Sequence, residues 1–422
     1  MIHFERFTLK NGLIVLFHKD TTTPMAVVNT LYDVGARDEE ESKTGFAHLF
    51  EHLMFGGSIN IADFDTPLQQ AGGENNAFTS NDITNYYDVV PAQNLETALW
   101  LESDRMLSLA FTDKSLEVQR NVVIEEFKQR YLNQPYGDVW LQLRPLAYKV
   151  HPYKWATIGK EIAHIENATM DDVKAFFNKY YNPSNAILCI AGNFELEEIK
   201  RLVEKWYGDI PAGKKFARIL KKEPEQTEYR ELTIERDVPA NAFYYAFKMP
   251  ERRNPEYYVA DVISDELGRD KSSVLYKKLK KELELVTEIA AYITGSIDEG
   301  LLIISGRLAE NVSFEQLDTA LWSVLERFKN KQIDAETLKR LMIKIRTAKE
   351  FQDQSMLNKA MNLCFFELLG DANGINEEWL VYNQIEPSDI QQTAKQLLKK
   401  TKLFFVEGAS GKLAIQFYED SF

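Results

Sequence analysis

Two histidines and a glutamate within five residues carry the strongest chemical signal in the sequence. His48, Glu51 and His52 follow the order H-x-x-E-H inside the run 45–57. Residues four apart lie on the same face of a helix, so the two imidazoles can bind one ion. Two imidazoles suit zinc, and a nearby carboxylate that is not a ligand can take a proton from water at the metal. The spacing therefore predicts a site for one Zn²⁺ per chain, with Glu51 as a general base.

Chance is a poor explanation of this motif. The chain has six His and 64 acidic residues, and random placement gives about 0.01 matches. The alternative is a buried helix whose histidines are hydrogen-bonded core residues. The rest of this helix is apolar: Phe46, Leu49, Phe50, Leu53, Met54 and Phe55. Burying three ionisable groups there is costly unless something pairs them, which favours a metal.

A third ligand is expected from the run 115–130. At helical period, one apolar face is formed by Leu116, Val123 and Phe127. Glu126 lies on the flank of that face, whereas Glu125 lies further round with polar neighbours. We therefore expect Glu126 to point inward and Glu125 to be a solvated charge. Two His and one Glu would leave a fourth metal position for water.

These two motifs resemble those of the pitrilysin and mitochondrial processing peptidase family of zinc peptidases, the inverzincins. The H-x-x-E-H helix is matched, and so is a later Arg-Asn-Val-Val-Ile-x-Glu from Arg120 to Glu126. The resemblance implies that Glu126 is the family's glutamate ligand and that the chain is a zinc metalloendopeptidase. It also implies substrates that are short or unfolded peptides.

The resemblance also implies a place for the substrate. The family has an Asn-Ala-x-Thr stretch on an edge strand near the zinc, and Asn76, Ala77 and Phe78 match it. A peptide added to that edge is held through its backbone, which suits broad specificity. Many relatives carry a second Glu seven residues before the ligand Glu. Here that position is Gln119, which can position a water but cannot take a proton.

A second departure from the family suggests a partner. Single-chain relatives carry an Arg and, seven residues later, a Tyr in the non-catalytic half, where Lys280 and Thr287 stand here. Lys lacks the guanidinium fork, and Thr cannot reach as far as a phenol. Some bacterial relatives pair a chain with H-x-x-E-H with a homologous chain that carries the Arg/Tyr pair. We hypothesise that this chain is the catalytic subunit of such a heterodimer.

Other interpretations stay open on the sequence alone. Some relatives serve as non-catalytic structural or assembly subunits, although those usually lose the metal residues. A zinc-dependent hydrolase of a non-peptide bond is a further alternative, and another divalent metal could occupy the site.

The pattern of elements predicts an α+β fold with an internal duplication. Strands are expected at 4–9, 13–17, 26–33, two runs within 75–91, 186–191, 242–249, 286–295, 301–308 and 403–406. Helices are expected at 43–55, 63–70, 92–109, 113–131, 170–181, 257–267, 314–328, 335–351 and 388–399. The predicted domains are a zinc-bearing domain (1–213), a polar, basic linker (214–227) and a similar non-catalytic domain (228–422). The second half contains no His, so it cannot build a second such site.

Composition limits the possible binding partners and the cellular compartment of the protein. The 422 residues carry a net charge of −14, which argues against nucleic acid as the main partner. No apolar run is long enough for a membrane span, and residues 1–6 do not resemble a secretion signal. Cys189 and Cys364 lie in apolar contexts, so we expect buried free thiols rather than a disulfide. These features predict a cytoplasmic protein, and His151, beside a proline, is expected to be structural.

Overall fold

The computed structural model describes residues 1–400 and the backbone of residues 403–410. Its strands are β1 (Glu5–Thr8), β2 (Ile14–Lys19), β3 (Met25–Tyr32), β4 (Glu74–Thr79), β5 (Thr84–Pro91), β6 (Ala186–Gly192), β7 (Arg230–Arg236), β8 (Ala242–Met249), β9 (Val286–Ile293), β10 (Gly300–Leu308) and β11 (Leu403–Ser410). The α-helices of the first half are α1 (Phe46–Leu53), α2 (Asp65–Gln70), α3 (Leu95–Leu107), α4 (Asp113–Phe127), α5 (Val139–Ala147), α6 (Ile162–Glu166), α7 (Met170–Tyr180) and α8 (Leu196–Tyr207). Those of the second half are α9 (Pro255–Gly268), α10 (Phe314–Asn330), α11 (Ala335–Gln352), α12 (Met356–Leu369), α13 (Gly374–Asn383) and α14 (Pro387–Leu397).

The strands form two sheets with the same topology. The first has the order β1-β2-β6-β3-β5-β4, and the second has the order β7-β11-β8-β10-β9. When β1 is left aside, the first strand of each sheet in chain order pairs parallel with the last: β2 with β6, and β7 with β11. All other neighbouring strands pair antiparallel. This repeated order confirms the predicted α+β class and the duplication into two similar domains.

The chain separates into two compact units that exchange segments between its halves. Among the described residues, unit 1 contains 1–127, 155–220 and 348–378, and unit 2 contains 128–154, 221–347, 379–400 and the strand at 403–410. The predicted domains, 1–213 and 228–422, did not anticipate that 348–378 would join the first unit or 128–154 the second.

In unit 1, the two faces of the sheet are covered by helices from different halves of the chain. Thr30 on β3 donates a hydrogen bond to Glu102 on α3 (3.0 Å), and α3 covers that face. Neighbouring strand residues point the other way and pack against α12. This second apolar cluster includes Val27, Leu31, Cys189, Leu363 and Cys364. Both cysteines are buried free thiols, as predicted.

Unit 2 shows the reciprocal arrangement. Phe243, Tyr245 and Phe247 on β8 pack into a large apolar cluster with α9, α10 and α14. The opposite face is covered by α5, a helix from the first half of the chain. Leu143 and Ala147 of α5 pack there with residues of the second sheet: Ile234, Ala246, Leu301 and Ile303.

Most predicted elements are present with small shifts at their ends. The helix predicted at 43–55 is shorter and spans Phe46–Leu53. Five helices, α5, α6, α8, α12 and α13, and the strand β7 were missed. In α8 the signal was present, because Ile199, Leu202 and Val203 recur at helical spacing and are buried.

The predicted linker is partly anchored. Its lysines are exposed, but Arg218 in unit 1 binds the carboxylates of Asp33 and Asp38 at 2.8 and 2.7 Å. In unit 2, the buried Glu223 accepts hydrogen bonds from three consecutive backbone N–H groups, those of residues 149–151. Within residues 1–400 and 403–410, the structure contains no helix with the length and apolar character that a bilayer-crossing segment needs.

Candidate metal centre

Helix α1 begins at a fixed position because its first turn is anchored by backbone and side-chain contacts. Gly45, the N-cap, has φ +87°, and a Cβ there would lie 2.7 Å from the backbone oxygen of Ile158. The buried carboxyl of Glu39 accepts hydrogen bonds from the N–H groups of Gly45 (2.9 Å) and Ala47 (2.8 Å). Burial raises the pKa of Glu39 to about 8. These contacts fix the first turn of α1 in space, and with it the position of His48.

The structure brings His48, His52 and Glu126 together. Oε2 of Glu126 lies 3.6 Å from Nε2 of His48 and 3.4 Å from Nε2 of His52. One potential ligand atom from each residue lies within 4.8 Å of the others. Ligand atoms on a tetrahedral zinc, at bond lengths near 2.1 Å, are about 3.4 Å apart. The three side chains therefore fit a zinc ion.

Helix α4 presents Glu126 to α1 from its last turn. Val123 and Phe127 on the same helix are buried. Nη1 of Arg120 donates to the backbone oxygens of Glu166 (3.0 Å) and Ala168 (3.2 Å), which anchors the helix. Glu126 is half-buried, Glu125 is exposed, and Gln119 is half-buried two turns earlier. The inward and outward directions expected for the two glutamates agree with their burial.

Glu51 lies beside the candidate ligands and is bound to strand β4. Its Oε2 accepts a hydrogen bond from Oγ1 of Thr79 at 2.5 Å. Burial raises the pKa of Glu51, and the charge of Glu126 acts in the same direction. The Thr79 bond and His52 lower the pKa of Glu51 and so oppose that rise. The Glu51 carboxyl is therefore close enough to two of the three candidate ligands, His52 and Glu126, for their charges to act on it.

Strand β4 is an edge strand of the first sheet, as expected for residues 76–78. It pairs with β5, and Ala77 and Thr79 stand opposite Tyr86 and Thr84. Ala77 is half-buried, whereas Asn76 is exposed and Phe78 is 40% exposed. The Ala77 N–H donates to Oδ1 of Asn76 at 2.8 Å, whereas the N–H of Ser80, three residues later, donates across the hairpin to the Ile83 oxygen, and N–H directions alternate along a strand. The backbone of Ala77 therefore points to the open edge.

A buried ionic cluster behind α1 was missed by the sequence reasoning. Arg105 on α3 is fully buried and forms an ion pair with Glu102. Its guanidinium lies over three aromatic rings, those of Phe55, Phe64 and Tyr86. Asp88 on β5 is also fully buried, and burial together with the charge of Glu102 raises its pKa well above the usual value. The Glu and Arg three apart on an otherwise apolar helix face were the available signal.

Other singled-out residues lie in unit 2. Nζ of Lys280 donates to the backbone oxygen of Thr287 at 2.5 Å; Lys280 is half-buried and Thr287 is exposed. His151 is buried, accepts a hydrogen bond from the Tyr153 N–H (3.2 Å) and lies 3.4 Å from Asp298. Its environment is that of a structural histidine.

Comparisons with known proteins identify the class of this chain. Residues 14–158 match the family model "Insulinase (Peptidase family M16)", and residues 167–344 match "Peptidase M16 inactive domain". The chain belongs to peptidase family M16.

Two similar sequences and one similar solved structure have names that describe proteases or peptidase subunits. The chain is 29% identical over 404 residues to zinc protease PqqE of Helicobacter pylori, covering 94% of this chain and 91% of that protein. It is 27% identical over 209 residues to mitochondrial-processing peptidase subunit beta of Caenorhabditis elegans, covering 49% and 45%. The crystal structure of a protease from Helicobacter pylori superposes with a TM-score of 0.91 at 28% identity, covering 97% of this chain and all of that one.

Proposed function

We propose that this chain is a zinc metalloendopeptidase that cleaves short or unfolded peptides. The observation that carries the proposal is the spacing of Nε2 of His48, Nε2 of His52 and Oε2 of Glu126, which suits one tetrahedral ion. Glu51 lies beside them without being needed as a ligand. Similarity to proteins named zinc proteases supports zinc as the metal.

The proposed chemistry is hydrolysis assisted by one carboxylate. A zinc ion held by His48, His52 and Glu126 would act as a Lewis acid, lowering the pKa of a bound water and polarising a carbonyl. Glu51 takes the proton from the attacking water and delivers it to the leaving nitrogen, as a general base and then a general acid. The raised pKa of Glu51 suits the first of these roles, because a more basic carboxylate is a stronger proton acceptor.

Strand β4 is the proposed track for the peptide. An extended peptide added to the open edge would pair with the Ala77 backbone, which the Asn76 side chain now caps. Displacing that cap frees the Asn76 amide to bind the peptide in turn. Phe78, on the opposite face of the strand, offers an apolar surface to neighbouring peptide side chains. Gln119 is a candidate for positioning water near Glu126.

We further propose that the chain works as the catalytic subunit of a heterodimer. Lys280 and Thr287 stand where single-chain relatives carry an Arg and a Tyr, and here they bond to each other. A homologous partner would then supply the Arg/Tyr pair. Similarity to a protein named as a peptidase subunit is consistent with a two-chain enzyme. Co-purification from the native source should yield that second chain, and a fully active homodimer would contradict this proposal.

The second candidate function is a non-catalytic structural or assembly subunit. The observation in its favour is that residues 167–344 match a model described as an inactive domain. The residues of the metal site lie in the other matched segment, 14–158, which is why we prefer the enzyme.

Hydrolysis of a mixed peptide library by the purified chain, with Glu51→Gln as control, tests the proposal. We expect Glu51→Gln to bind zinc normally and to lose at least about 100-fold in rate. Cleavage that disappears in the control supports the peptidase and makes the partner dispensable. No cleavage by a chain with stoichiometric zinc points to a missing partner, and a chain that binds no zinc favours the structural subunit.

A further inference from the structure

The bond between Thr79 and Glu51 joins the edge strand to the proposed general base. Thr79 is the last residue of β4, and its Oγ1 donates to Oε2 of Glu51 at 2.5 Å. Its backbone N–H also acts as a hydrogen-bond donor to the same carboxyl. Thr79 is therefore the residue of β4 that fixes where the Glu51 carboxyl lies.

The Thr79 side chain lies on the face of β4 that is directed towards α1. Ala77 and Thr79 alternate with Asn76 and Phe78, so the side chains of Ala77 and Thr79 point to the same face. Opposite Ala77 stands Tyr86, which packs against Phe55, two residues after the end of α1. The Thr79 hydroxyl thus faces the candidate metal centre, two residues along the strand from the backbone that is open to a peptide.

A glutamate side chain left free adopts many rotamers, and holding one of them costs conformational entropy. A bond made before the substrate arrives meets that cost in advance, because a base must lie within hydrogen-bond reach of the proton it takes.

We propose that Thr79 is a positioning residue: its hydroxyl holds the Glu51 carboxyl in the orientation needed for proton transfer. Thr79 also ends the strand on which the peptide is laid, so one residue aligns the base with the bound peptide. This inference rests on the proposed peptidase function and adds a residue to it.

Two substitutions separate the hydroxyl from the rest of the side chain. Thr79→Val keeps the shape and removes the donor, whereas Thr79→Ser keeps the donor. Because a hydrogen bond to a charged group is lost, we expect kcat of Thr79→Val to fall about 10- to 100-fold. KM and zinc affinity should stay within about twofold. Thr79→Ser should keep most of the activity, and Thr79→Val should have little further effect in a Glu51→Gln background.

Thr84 provides a matched control. It stands opposite Thr79 in the β4–β5 pair and belongs to the same face, but its hydroxyl donates to the backbone oxygen of Val34 at 3.0 Å. Thr84→Val should lower thermal stability and leave kcat unchanged below the melting transition. A Thr79→Val chain with the wild-type kcat, or a Thr79→Ser chain as impaired as Thr79→Val, would overturn the proposal.

A structural measurement keeps this inference separate from the proposed function. If the zinc-loaded wild-type chain, alone and with its partner, cleaves no peptide, the peptidase proposal fails. Crystal structures of wild type, Thr79→Val and Thr79→Ser then decide the positioning role. A Glu51 carboxyl displaced by more than about 1 Å in Thr79→Val alone supports that role. A carboxyl that stays in place in all three contradicts it.

Discussion

Oε2 of Glu126 lies 3.4 Å from Nε2 of His52, although the two residues are 74 positions apart in the sequence. That contact joins α4 to α1 and completes a donor set of two imidazoles and one carboxylate. The stability of both helices, through Arg120 on one and Glu39 on the other, keeps the three donor atoms within reach of one ion.

Removing the charge of Glu126 should weaken metal binding. Glu126→Gln keeps the side-chain shape but offers a neutral oxygen, so we expect zinc affinity to fall by more than about 100-fold. Glu125→Gln, on the same turn but exposed, is the matched control and should bind zinc as the wild type does. Titration against a chelator of known affinity measures both. Equal affinities for the two variants would remove Glu126 from the ligand set.

Replacing Glu39 should destabilise the first turn of α1. In Glu39→Gln one oxygen becomes an NH₂ group, so the N–H of Gly45 or Ala47 loses its acceptor. A buried donor left unsatisfied costs about 1–3 kcal/mol. Urea unfolding should show that loss, and zinc affinity should fall with it. Glu40→Gln, at an exposed neighbouring position, should change neither quantity; a Glu39→Gln chain as stable as the wild type would count against the capping role.

Asp88 should make stability depend on pH. Burial and Glu102 raise its pKa in the folded chain above the ordinary 3.8. The stability it contributes is therefore present below pH 3.8 and is lost as pH rises towards the raised pKa. Asp88→Asn removes that dependence, so its stability relative to wild type should increase with pH by up to about 1.4 kcal/mol per pH unit.

Urea unfolding of both chains at pH 5 and pH 7 measures this difference. Asp171→Asn, at an exposed position, should keep a constant difference from wild type across the same interval. A constant difference for Asp88→Asn as well would show that the Asp88 carboxyl is ionised in the folded chain.

Trimming α12 should destabilise unit 1. Leu363 is fully buried in the cluster between α12 and the first sheet, so Leu363→Ala should cost about 2–5 kcal/mol. Leu380 on α13 is 57% exposed, and Leu380→Ala should cost little. Differential scanning calorimetry compares the two variants. Similar melting temperatures would mean that α12 contributes little to the unit.

The candidate metal site could be located from the sequence because two of its three residues lie in one short motif and the third lies in a patterned helix. His48 and His52 are one helical turn apart, and the inward direction of Glu126 followed from the buried neighbours Val123 and Phe127. The edge position of residues 76–78 came from family resemblance, since no periodicity distinguishes an edge strand from an inner one.

The remaining features depend on contacts between distant segments. Nothing near Glu39 in the sequence indicates that it caps α1, and nothing near Thr79 indicates that it bonds to Glu51. The exchange of α5 and α12 was equally hidden, because an apolar helix does not carry the identity of the sheet that it covers. These contacts are set by packing and not by local pattern.

The position of α12 in the chain also affects synthesis of the protein on the ribosome. The last strand of the first sheet ends at Gly192, but the helix that covers one face of that sheet ends at Leu369. At a translation rate of about 5–20 residues per second, roughly 10–35 s pass between the two events. During that interval the nascent chain carries an uncovered apolar surface, which makes the growing polypeptide a natural client for molecular chaperones.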